Sequence, residues 1–164
     1  MHRTIRRVAA CATGYDPTTF LIGVAAWGVF TGISLLLPGA AFDASPVYGV
    51  VRGWWLSEDQ WGGILLLDAA ALLGSIAAGA RMPTVERRRA LAPVRGAVAI
   101  LSGLLWALWG GLLLAGAAGL ANGWGGIAAH GFFSAAGAWT VFAAIGCWLA
   151  AVQWVAPASG GEGG

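Results

Sequence analysis

Asp68 is the one ionisable residue in the twenty-residue stretch from Trp61 to Ala80. A run of that length spans a bilayer as a helix. Counted from a helix start at Ser57-Glu58, Asp68 lies roughly 15 Å deep, near the midplane. A carboxyl group there costs about 3 kcal/mol on insertion scales. It must therefore be hydrogen-bonded, titrate or hold a cation. Polar company of comparable depth consists of Thr31, Ser34, Ser102 and Thr140, with indole N–H groups from Trp27, Trp106, Trp109 and Trp139. No Lys or Arg shares that depth. Two readings stand: proton or cation coupling, and adhesion between helices, within the bundle or to a partner. Both predict that the carboxyl faces protein and not lipid.

Other chemistry is poorly provided for. The histidines are His2 and His130, and the cysteines are Cys11 and Cys147. Neither pair has metal-ligand spacing, and no phosphate loop or Ser/His/Asp set is present. No catalytic residue, metal or cofactor is expected, and the chain does not read as an enzyme. Arg6-Arg7 and Val8-Ala9-Ala10-Cys11 imitate secretion signals by letter. The apolar core of 7–15 residues that such signals need does not fit between Arg7 and Cys11.

The elements that must position Asp68 are helical and apolar. Only 10% of the 164 residues are charged and 59% are hydrophobic, where a soluble domain carries roughly 25% charged residues. The expected architecture is all-α: one membrane bundle of four transmembrane helices, at about 19–37, 58–80, 94–118 and 127–155. A short segment, 1–18, precedes it, and a Gly-rich tail, 156–164, is expected to be disordered. Ser57 and Gln60 have capping-box spacing, with Glu58 and Asp59 in the first turn. Small residues mark helix-packing faces: Gly28 and Gly32 on the first span, Gly74 on the second, and Gly96, Gly103 and Gly110 on the third. Between the first two spans, Ser45-Pro46 begins a short interfacial helix with Val47, Val50, Val51 and Trp54 on one face. Trp54, Trp55, Trp61, Trp124 and Trp154 are expected as interfacial anchors.

All nine basic residues are Arg. Arg81, Arg87, Arg88, Arg89 and Arg95 lie in and around a connection over 81–93, which Pro93 closes by opening the third span. Three more precede the first span, and the 39–60 connection holds only Arg52. This asymmetry predicts that both termini and the basic loop are cytoplasmic, in a bacterial inner membrane. The basic cluster reads as a topology determinant and not as a nucleic-acid site. The expected partners are the lipid bilayer, other copies of the chain or a larger membrane complex.

The order of features over 31–76 resembles small four-span membrane proteins of tailed bacteriophages and prophages. The shared marks are the Leu-rich run into Pro-Gly at Leu35 to Gly39, Ser45 to Tyr48, Glu58, and Trp61-Gly62. The resemblance implies a non-enzymatic protein acting in host-membrane events such as lysis or exclusion, or as an accessory. The alternatives are a structural subunit of a larger membrane complex and a small proton-linked transporter or channel using Asp68.

Overall fold

A computed structural model describes residues 17–37, 42, 45–53, 55–119 and 131–155. Its elements are α1 (Pro17–Leu36), a 3₁₀ turn (Pro46–Tyr48) running into the single-turn α2 (Gly49–Arg52), α3 (Glu58–Arg81), α4 (Val85–Gly119) and α5 (Gly131–Val155). Among the described residues there is no strand. Three helices are long and apolar enough to cross a membrane: Thr18–Leu36, Glu58–Arg81 and Arg89–Gly119. They mark the chain as a helical membrane protein. The apolar stretch described within α5 is shorter, Ala136–Val152.

Local sequence explains the helix ends. Pro17 occupies the first helical position of α1, where its missing N–H leaves no bond unmade. α1 stops at Leu36, and Leu37, which precedes Pro38, is disfavoured in the helical region. At α3, Ser57 Oγ accepts from the Gln60 N–H at 3.3 Å, and Gln60 Oε1 accepts from the Ser57 N–H at 2.8 Å. This reciprocal pair satisfies two donors that a helix start leaves over. α3 ends where Met82 turns extended before Pro83.

The basic region departs from the expected loop. Only 82–84 separate α3 from α4, and Arg87, Arg88, Arg89 and Arg95 all belong to α4, while Arg81 closes α3. Thr84 Oγ1 accepts from the Arg87 N–H at 3.4 Å, as an N-cap does, and Glu86 lies in the first turn. The strong helix formers that follow carry the helix through Pro93, which lies inside α4 and does not open it. Pro93 leaves the Arg89 carbonyl without its usual intrahelical donor.

The long helices pack mainly in two pairs, α1 with α3 and α4 with α5. Thinner contacts join α3 to α4 and α1 to α5. Glycine sets the first pair's separation. A Cβ on Gly32 would lie 2.9 Å from the Gly62 carbonyl oxygen, and one on Gly62 would lie 2.9 Å from that of Gly32. In the second pair a Cβ on Gly103 would come 3.0 Å from the Ala144 carbonyl, and one on Gly110 would run into Thr140. Gly28 is less tight, with its nearest neighbours 3.3 Å from such a Cβ, and Gly96 is buried. Gly74 faces open space and packs against nothing, because it lies on the outer side of α3.

The 3₁₀ turn and α2 dock on the bundle through Val47 and Val51, both fully buried. Val47 sits against Gly116 of α4. Val50, expected on the same face, is exposed because the 3₁₀ start shifts the rotation of the turn. Behind them Phe42, Tyr48, Trp109 and Trp61 form one aromatic cluster, with Trp61 and Trp109 ring centres 5.1 Å apart. Trp61 is thus a core residue and not an anchor, whereas Trp55 is 84% exposed. Trp54, Trp124 and the Trp154 side chain lie outside the described residues.

Candidate functional site: the Asp68 junction

α3 and α4 meet thinly, and a polar contact joins them at Asp68. Ser102 and Trp106 are one turn apart on α4, so both side chains project from the same face. Ser102 Oγ donates to Asp68 Oδ2 at 2.9 Å, and the Trp106 indole N–H donates to the same oxygen at 3.1 Å. Ser102 and Trp106 are fully buried, and Asp68 is half-buried. The network extends to α5, where the buried Cys147 thiol reaches Ser102 Oγ at 4.0 Å. One carboxylate oxygen therefore gathers groups that touch three helices.

Trp106 is placed from the other side by glycine. A Cβ on Gly28 would lie 3.3 Å from the indole Cζ2 and 3.3 Å from the Ala69 Cβ. The bare backbone of α1 at Gly28 gives the indole room beside α3, where its N–H can reach Asp68. The small residue on α1 and the donor on α4 thus depend on each other, although neither is near the other in sequence.

The remaining polar residues expected near Asp68 do not join it. Ser34 Oγ donates to the Phe30 carbonyl at 2.8 Å, and Thr140 Oγ1 donates to the Gly137 carbonyl at 2.7 Å. Both satisfy themselves on their own helix, a local alternative always open to Ser and Thr. Thr31 Oγ1 and Trp27 Nε1 are enclosed without a hydrogen bond. Trp139 is half exposed on the outside of α5. Ser102 and Trp106 stand at i, i+4 on α4, as Trp27 and Thr31 do on α1, so helical spacing by itself does not single out the pair that binds.

Further along the α3–α4 seam, Arg95 lies seven residues before Ser102, about 10 Å along the axis and on the same face. Its guanidinium rests on Gly79, where a Cβ would come 2.8 Å from Nη1. Gly79 is thus a seat for Arg95, a function its place in the sequence did not suggest. Gly62, Gly137 and Gly146 are further close-contact glycines that sequence spacing left unmarked, since each meets a helix from a distant part of the chain.

Chemically, two neutral donors on one oxygen satisfy a carboxyl group only by half. The arrangement suits a carboxylic acid with its proton on the other oxygen, and equally a carboxylate. Among the described residues no group of three His, Cys, Asp or Glu could hold a metal ion. His130 and Cys11 lie outside the described residues. In comparisons with protein families, curated proteins and solved structures, nothing matches this chain.

Proposed function

We propose that this chain is a non-enzymatic, multi-pass membrane protein that works by assembly, as an accessory or structural subunit, with Asp68 as its internal adhesive. The observation that carries this reading is the double acceptance at Asp68 Oδ2, from Ser102 at 2.9 Å and Trp106 at 3.1 Å. These bonds join the two helix pairs, which touch each other far less than the helices within each pair do. With α5 as a fourth span, eight of the nine arginines, all but Arg52, lie in the N-terminal segment or around the α3–α4 turn, which supports a cytoplasmic side for both termini and that turn in a bacterial inner membrane. The resemblance over 31–76 accords with a role at the membrane of a phage host.

The test compares Asp68→Asn with Asp68→Leu in the full chain, unfolded with denaturing detergent in mixed micelles. Asn keeps an acceptor for Ser102 and Trp106 and should preserve stability and assembly. Leu removes both bonds and should lower stability by about 1–2 kcal/mol, since interhelical bonds in membranes contribute roughly 0.6 kcal/mol each and 1.7 at most. Equal stability of the two variants would refute adhesion. A folded Asp68→Asn protein that lost its cellular activity would favour proton coupling instead.

A further inference from the structure

Both hydrogen bonds to Asp68 fall on Oδ2. Among the described residues no donor reaches Oδ1, and Oδ1 is not one of the enclosed polar atoms without a partner, so it reaches the edge of the bundle. Successive helix positions are 100° apart, which identifies the edge concerned. On α3, α1 packs against the side bearing Gly62 and Ala69; on α4, α5 packs against the side bearing Gly103 and Gly110. Among the described residues nothing covers the opposite flank of both helices. It carries Leu67 and Ala71 on α3 and Leu101 on α4, all exposed, with Leu105 partly so. The α3–α4 seam is therefore an apolar groove with half of a carboxyl group at its floor, midway along both helices.

We propose that this flank docks a transmembrane helix of a different protein that presents a Lys or Arg at mid-bilayer depth. The inference rests on the assembly reading above and names the chemistry of the partner. An intramembrane acid is paired with a basic group or with protein donors, and Oδ1 has neither among the described residues. A second copy is the wrong occupant. Two copies in one orientation bring Asp68 against Asp68, and the nearest arginines, Arg81 and Arg95, lie toward the cytoplasmic ends of their helices. The small side chain of Ala71 beside the carboxyl leaves room for a helix to approach closely.

The probe is a polyleucine transmembrane peptide with a single central Lys, against the same peptide with Leu at that position. Each is reconstituted with the fluorescently labelled full-length protein in phosphatidylcholine vesicles, and energy transfer reports association. The Lys peptide should bind at least tenfold tighter than the Leu peptide. Asp68→Asn should erase the preference, and so should Ala71→Phe, which fills the groove and leaves the Asp68 bonds in place. Ala71→Phe carries the test alone if Asp68→Asn does not fold. Equal binding of the two peptides, a Lys preference that survives either substitution in folded protein, or Asp68-dependent transfer between two labelled copies would each overturn the proposal. If Asp68→Leu lowers stability while the peptides bind equally, the partner helix fails and the adhesive role stands. If Asp68→Leu leaves stability unchanged, the adhesive role itself fails.

Discussion

Gly32 and Gly62 face each other across the α1–α3 crossing so closely that a Cβ on either would lie 2.9 Å from the other's carbonyl oxygen. The contact is backbone to backbone, and no flexible side chain can yield to relieve it. Gly62→Val should therefore push α1 off α3, costing about 1–3 kcal/mol as overpacking does. Gly74→Val, on the open outer face, should cost far less. Detergent unfolding midpoints of the two variants check the contrast.

Trp106 should couple energetically to Asp68. Trp106→Phe removes the indole N–H, and Asp68→Leu removes the acceptor. The double variant should be less damaged than the sum of the singles by about 0.5–1.5 kcal/mol. Gly28→Val, which displaces the indole without touching Asp68, should reduce that coupling. A cycle of unfolding free energies measures it, and additive effects would show that the 3.1 Å bond contributes nothing.

The docked turn between α1 and α3 should depend on Val47 and not on Val50. Val47 is fully buried, and Val50 is exposed. Val47→Asp would bury an unpaired charge and should open residues 45–53 to protease. Val50→Asp should leave cleavage close to that of the unaltered chain. Limited proteolysis of the protein in vesicles distinguishes the two.

The same turn should loosen in alkali. Burial, and then the negative charge of Glu58, push the Tyr48 phenol above its ordinary value near 10. The folded state thus holds the proton more tightly than the unfolded one. The docking energy is intact below the ordinary value and is lost as pH rises from there through the raised one. Tyr48→Phe should remove this alkaline loosening, read as protease access between pH 9 and pH 12.

Orientation is testable by cysteine labelling in a chain freed of Cys11 and Cys147. A cysteine at Thr84, in the α3–α4 turn, should resist an impermeant thiol reagent in intact cells. One at Ala44, between α1 and α2, should label. The opposite pattern would invert the topology inferred from the arginines.

Some of this architecture was legible in the letters alone. The capping box at Ser57 and Gln60 is local, and its partners are three residues apart, so spacing suffices to find it. The lone carboxyl at Asp68 was equally plain, because a charge in an apolar run is costly wherever the run packs. The basic stretch misled, since Pro93 suggested a boundary while the Thr84 cap and the helix formers after it began α4 earlier.

What only the tertiary structure decided is which donors Asp68 uses and which glycines touch. Thr31, Ser34, Ser102 and Thr140 lie at similar depth, and depth is all that a linear sequence reports. The choice of Ser102 with Trp106 depends on the rotation of α4 about its axis. That rotation follows from where Gly103 and Gly110 meet α5 and where Gly28 admits the indole. Trp61 likewise sits one turn into α3, where an anchor belongs, but the docked turn and Trp109 close over it and make it core. Sequence determines that a membrane helix must bury a polar group. The partner is set by the packing of whole helices against one another, to which residues far apart in the chain contribute together.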